Sequence, residues 1–307
     1  MLAKSVENFN CLFLASSLFS ILLNQIRNRM FRVIKLLLLM LFFSLQVKAQ
    51  HINLSKANTL FYEEKYSGSQ ALFQQLIINN GANEEAHYYN AKCSKELFAS
   101  DAIFLYERFL AAFPYSSFIQ NVNEDLALLY YRELDYPKAI NYFLKLKNLD
   151  QRPYLVFKLA YANFSIDSLV DAQYYFSKLI DTESKYAETA QYYSAYIAYQ
   201  NGLYKTALNG FKNLIANKQF GPIIPYYITQ IYFFQKSYKQ LIEFASPLLE
   251  TVIPSRKLEV NRLLAEAYYR TENFENAIIH FTDYIEQAGQ VKSIVNFLLG
   301  QSYFKLG

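Results

Sequence analysis

Apolar and small residues recur along this chain at helical spacing. The stretch from Leu126 to Phe143, LALLYYRELDYPKAINYF, shows the pattern most plainly. Leu126, Ala127 and Tyr130 fall on one helical face, and after a break Ala139 and Phe143 do the same. Asp135 and Pro137 mark that break, a helix N-cap followed by a proline tolerated in the first turn of the next helix. The stretch predicts two short helices folded back on each other around small residues.

The layout returns along the chain. The short residue after each break is Ser69, Ala102, Ala139, Ala172, Ala207, Leu241 and Ala277, in steps of 33, 37, 33, 35, 34 and 36 residues. Four positions on from each stands Phe73, Tyr106, Phe143, Phe176, Phe211, Ala245 or Phe281. Twelve positions before each stands Ala57, Asn90, Ala127, Ala160, Ala195, Thr229 or Ala265, and Gly300 continues that last series. Small facing small lets two helices approach closely, while the aromatic four positions on fills the joint to the next hairpin. The period predicts an array of stacked hairpins rather than two globular domains.

With Leu and Tyr flanking the first small site (Leu126-Ala127 with Tyr130, Leu159-Ala160, Leu264-Ala265 with Tyr268, Leu299-Gly300 with Tyr303), the pattern resembles the tetratricopeptide repeat. The resemblance implies an all-α fold, an α-α superhelix in the form of a right-handed solenoid of antiparallel helix pairs whose first helices line a concave groove. It covers residues 50–307 as about seven repeats plus the first helix of an eighth, which predicts a C-terminus truncated in mid-repeat. The repeat around Leu241 departs from the pattern. Leu occupies its small site, Ala245 its aromatic site, and Pro247 should kink or end its second helix. With Gly221, Pro222 and Pro225 upstream, a bend is expected there.

Composition changes the picture at the N-terminus. Of 30 basic and 26 acidic residues, six basic and one acidic lie in 1–49, leaving 24 and 25, a net charge of about −1 and no basic face for nucleic acid. The segment Met30–Ala49 has a charged start, the apolar run Leu36–Leu45 and Val47-Lys48-Ala49 before Gln50, which predicts a secretory signal peptide. Residues 1–29 read as an over-extended start, or with the second run as an uncleaved anchor. The mature chain, from Gln50, is expected to carry no transmembrane span. Cys93 alone would survive processing, so it forms no intramolecular disulfide and reads as a small buried hydrophobe.

No motif for phosphate, dinucleotide, metal or nucleophilic chemistry is present, and the sequence predicts no enzyme, cofactor or metal. Glu84-Glu85 and Glu124-Asp125 read as first-turn residues of helices. The resemblance places groove sites at Tyr131, at Tyr154, Phe157, Tyr161 and Phe164, at Tyr192, Tyr196 and Tyr199, and at Tyr226 and Phe233. The Lys and Asn of the family's acidic-tail clamp are replaced by Phe157 and Tyr161, Tyr192 and Tyr196, or Tyr226 and Gln230, so a co-chaperone role is not expected. The rings admit two readings, a binding surface for a peptide or protein segment, or packing between repeats. Tyr161, Tyr192, Tyr196 and Tyr199 lead the first, which expects Tyr192 and Tyr196 to be removable with little loss of stability.

The leader and an Asn-, Lys- and Tyr-rich body look like exported proteins of Gram-negative bacteria. They imply a scaffold of the periplasm or outer-membrane face with a protein or peptide partner. The alternatives are a glycan- or peptidoglycan-binding protein using the same groove, or the N-terminal arm of a longer enzyme or sensor.

Overall fold

A computed structural model describes residues 54–81 and 83–307, together with 30, 34 and 35. The expected leader and the extension before it lie outside the described residues, those three positions aside. The described residues are helical and contain no strand. They form two compact units that divide at Val122, within the helix Ile119–Arg132.

The first unit holds α1 (residues 54–62), α2 (Tyr66–Asn79), α3 (Glu84–Glu96) and α4 (Ala102–Ala112), and the start of α5 (Ile119–Arg132). The second continues through α6 (Tyr136–Phe143), α7 (Pro153–Ser165), α8 (Leu169–Ile180), α9 (Ala187–Gln200) and α10 (Tyr204–Lys212). It then runs through α11 (Ile224–Phe234), α12 (Tyr238–Ala245), α13 (Pro254–Arg270), α14 (Phe274–Gln287) and α15 (Ser293–Leu306). In the first unit α2, α3 and α4 pack in sequence order; in the second, α6 to α15 each pack on their sequence neighbour, and α11 also meets α13, as α13 meets α15.

The sequence register coincides with burial. All seven pairs of small sites, from Ala57 with Ser69 to Ala265 with Ala277, are buried, and so are all seven residues at the aromatic site. Two polar members show how a hydroxyl is accommodated there. Ser69 Oγ donates to the Ala57 carbonyl at 2.8 Å, and Thr229 Oγ1 to the Pro225 carbonyl at 2.6 Å. A buried hydroxyl with such a bond avoids the roughly 1–3 kcal/mol of an orphaned one.

The turn inside each hairpin repeats as closely as the core. Glu64, Phe98, Leu134, Asp167, Gly202, Lys236 and Glu272 all have φ between 54° and 71°, the left-handed region. The next residue's N–H then reaches back five positions (Lys65 to Leu60, Asp135 to Tyr130, Leu203 to Ala198 and their equivalents) at 2.8–3.0 Å. These are Schellman closures, which satisfy carbonyls at the end of the first helix. Only Gly202 is the residue type that this backbone prefers; the other six accept a cost of about 1 kcal/mol or more. Where a side chain caps the following helix it does so as the sequence implies, Asp135 Oδ1 accepting from the Lys138 N–H at 3.3 Å.

Pro247 falls outside α12, which ends at Ala245, so the proline ends the helix rather than kinking it. The core is continuous through this hairpin. One hydrophobic cluster runs from Ala195 through Leu241 and Val252 to Ala267, and the Ile253 N–H donates to the Pro222 carbonyl at 3.2 Å. Leu241 and Ala245 are both fully buried in that cluster, so the larger residue at the small site accompanies a smaller one at the aromatic site. Cys93 is fully buried, and burial pushes its thiol up. Glu84 and Glu85 lie in the first turn of α3, as the sequence implies, behind Asn83, whose side chain accepts from the Ala86 N–H. No helix among the described residues is long and apolar enough to cross a membrane.

Candidate functional site: an aromatic face of the second unit

The candidate site is built on the first helices of successive hairpins, α5, α7, α9 and α11. Residues at i, i+4 and i+7 of a helix share a face, so Phe157, Tyr161 and Phe164 stand in one row on α7, and Tyr192, Tyr196 and Tyr199 in another on α9. Small residues at the helix contacts draw these rows to within ring contact.

The rows touch through a chain of edge-to-face and tilted pairs. Tyr131 meets Tyr161 at 6.3 Å between centroids, and Phe157 stacks on Tyr161 at 6.5 Å and on Tyr186 at 5.1 Å. Phe164 meets Tyr196 at 6.0 Å, and Tyr196 meets Tyr192 and Tyr199 at 6.4 and 6.3 Å. Tyr199 OH donates to Gln230 Oε1 at 2.6 Å, and Gln230 Nε2 donates to Tyr226 OH at 2.9 Å. Tyr154 joins through Tyr186 at 6.0 Å, and Phe233 through Phe234 at 6.3 Å, which in turn meets Tyr199. All ten sequence-predicted residues are therefore linked to one another through ring contacts and hydrogen bonds.

Two residues that the register did not single out hold this surface together. Tyr193 lies flat on Phe176 (5.2 Å, 6°) and Tyr227 flat on Phe211 (5.0 Å, 6°), so each joint-filling ring is lidded by a tyrosine from the next hairpin. Tyr89 covers Phe73 in the same way in the first unit, at 5.5 Å. The signal was present in the sequence, since Tyr193 and Tyr227 both stand two residues before a small site. Lys158 occupies that position on α7, and its ammonium lies 3.9 Å over the Tyr131 ring and 4.9 Å over Tyr154. Burial lowers its pKa. At the other end the Arg256 guanidinium covers Tyr226 at 4.8 Å.

These contacts revise the expectation for Tyr192. It stacks on Phe220 at 4.5 Å, approaches Phe211 at 6.3 Å, and its hydroxyl lies 3.4 Å from that of Tyr227. These contacts pack Tyr192 between hairpins, so its removal is expected to open the joint. Phe220, a loop residue with no place in the repeat, went unnoticed because a single apolar residue outside a helix has no periodicity. Tyr154 and Phe234 differ from Tyr192, being 46% and 51% exposed. Burial also pushes the phenols of Tyr193 and Tyr199 up to about 12. Among the described residues no group of three or more His, Cys, Asp or Glu could hold a metal.

The comparisons agree with this architecture. The structure is similar to the C-terminal part of a tetratricopeptide-repeat-containing protein from Cytophaga hutchinsonii, at 15% identity and a TM-score of 0.50, over 83% of this chain and 99% of that one. It is also similar to a chain of the Naa15/Naa10 complex bound to HypK-THB, at 9% identity and a TM-score of 0.57, over 83% of this chain and 39% of that one. No protein-family model and no curated protein matches the sequence. The chain has the all-α fold of helical-hairpin repeat proteins. Within that class its fold is like that of the solved tetratricopeptide-repeat structure from Cytophaga hutchinsonii.

Proposed function

We propose that this chain is a non-catalytic protein-interaction scaffold exported to the bacterial cell envelope, and that the aromatic face of α7, α9 and α11 receives an extended segment of a partner protein. The observation that carries the reading is the contiguous band of half-buried Tyr and Phe rings reaching the surface at Tyr154, Tyr226 and Phe234. Rings of this kind supply large contact area at low entropic cost and are enriched where proteins recognise one another. Lys158 and Arg256 add cations to the band, which favours a segment carrying acidic residues beside apolar ones. The solved complex containing Naa15, Naa10 and HypK-THB is an instance of a similar fold in a protein assembly.

The protein-segment reading is favoured over a glycan by ring orientation. A sugar stacks on an open ring face, whereas these rings meet mostly edge to face and spend their faces on one another. The envelope assignment rests on the Met30–Ala49 leader and is tested separately, by fractionating cells that express the whole chain and determining the N-terminus of the mature protein.

A displayed library of random peptides, selected against residues 50–307, tests the face itself. Enriched peptides should lose about tenfold or more in affinity for a Tyr154→Ser/Phe234→Ser variant whose melting temperature is unchanged. Failure to enrich any peptide, or equal binding to that variant, overturns the reading.

A further inference from the structure

The hydrogen bonds of the aromatic face leave a surplus of one kind. Gln200 Nε2 donates to Tyr196 OH at 3.2 Å, at the surface, and Gln230 Nε2 donates to Tyr226 OH at 2.9 Å. Both phenol oxygens are therefore acceptors, and neither hydroxyl donates to any group among the described residues. Gln230 stands between two phenols, accepting from Tyr199 while it donates to Tyr226. Turning its amide over exchanges their roles, so one of the two keeps a free O–H in either orientation.

Ring orientation and charge favour the same kind of ligand atom. The rings turn their faces to one another, as Phe164 and Tyr196 do and Tyr196 and Tyr227. An incoming chain then meets ring edges, the positive part of an aromatic ring. Two cations flank the band, the Lys158 ammonium over Tyr131 and the Arg256 guanidinium over Tyr226, and neither has a carboxylate partner among the described residues. Spare O–H groups, ring edges and cations all seek electron-rich oxygen.

We infer, on the basis of the function proposed above, that the segment this face receives is proline-rich, in the polyproline II conformation, and carries acidic side chains. An α-helix uses its carbonyls on its own N–H groups and has none to offer Tyr196 or Tyr226. A polyproline II chain makes no internal hydrogen bonds, so its carbonyls are free. Proline also lacks an N–H, so such a chain brings acceptors without donors that need partners in turn. Its conformation is set before it binds, which lowers the entropy lost on docking. Acidic side chains on it pair with Lys158 and Arg256.

Fluorescence anisotropy of a labelled, end-blocked peptide of four Pro-Pro-Glu units, titrated with the intact protein, tests this. Four Ala-Ala-Glu units serve as the control, equal in length and charge but free to form a helix. The proline peptide should bind with a Kd of about 0.1 mM or tighter, and the alanine peptide about tenfold more weakly. A Tyr196→Phe/Tyr226→Phe variant keeps both rings and removes only their hydroxyls. It should weaken the proline peptide about tenfold and leave the alanine peptide as it was. Lys158→Gln/Arg256→Gln should weaken both peptides alike, because it acts on charge and not on backbone conformation. Equal binding of the two peptides, or a proline peptide indifferent to the loss of the hydroxyls, overturns the inference. If peptides selected from the random library still depend on Tyr154 and Phe234, the face remains a binding surface for another kind of segment. If no peptide binds, selected or designed, the proposed function falls as well.

Discussion

The hairpins α7–α8 and α11–α12 solve one packing problem in two ways. In the first, Ala160 faces Ala172 and the ring of Phe176 fills the joint; in the second, Thr229 faces Leu241 and the joint residue is Ala245. All six are fully buried. Bulk has moved from the joint to the helix contact, with close to the same total side-chain volume. The difference teaches that the array conserves filled space at each joint, with the small-small-aromatic order as its commonest arrangement. Close-packed cores tolerate such exchanges when volume is kept.

The strongest way to break the comparison is Phe176→Ala. It strips Tyr193 and Phe157 of their partner and should cost about 3–5 kcal/mol in chemical denaturation. Ala172→Leu alone overpacks α8 and should cost about 1–3 kcal/mol. The double variant reproduces the arrangement of α12, so it should be more stable than Phe176→Ala by itself. Simple addition of the two losses would refute the idea of shared volume.

The turns sharpen the same contrast between conserved geometry and variable residues. Gly202→Ala should destabilise by about 1 kcal/mol, because φ at that position is 71°. Leu134→Gly, at φ 62°, should be neutral or stabilising by a few tenths of a kcal/mol, as relief of strain offsets the freer unfolded chain. Both are read from denaturation midpoints, and equal effects of one sign would argue against the turn assignment.

The smallest expected effect is on pH dependence. Tyr193 and Tyr199 are held up to about 12 from an ordinary 10.0 by burial, so the folded state keeps their protons longer than the unfolded chain. Their contribution is therefore whole below pH 10 and is lost as pH rises from 10 towards 12. Tyrosinate absorbance should show a late-titrating fraction that merges with the rest in denaturant. A single titration near pH 10 in the folded protein would contradict the burial of these rings.

Much of the fold was legible because one residue type at one spacing carries one meaning. An Ala twelve residues before an Ala, with Phe four beyond, has few explanations besides a helical hairpin and its joint. The aromatic face was legible only by position. Tyr192 and Tyr196 look alike in sequence, yet one stacks on Phe220 from a loop and the other does not, and nothing local distinguishes them. The lids Tyr193 and Tyr227 escaped notice in a chain with 28 tyrosines, where another Tyr carries little information. Asn90 was visible as a departure, but whether a partner satisfies its amide depends on neighbours brought from other helices.

The left-handed turn residues have a practical consequence. Glu64, Phe98, Leu134, Asp167, Gly202, Lys236 and Glu272 are all solvent-exposed, and their backbone is held by bonds that involve no side chain. Each hairpin thus presents one outward position at which exchanging one non-glycine residue for another leaves the backbone bonds that close the turn in place. Probes, tags or cross-linkers attached at these six non-glycine turns would report on one hairpin at a time without touching its core.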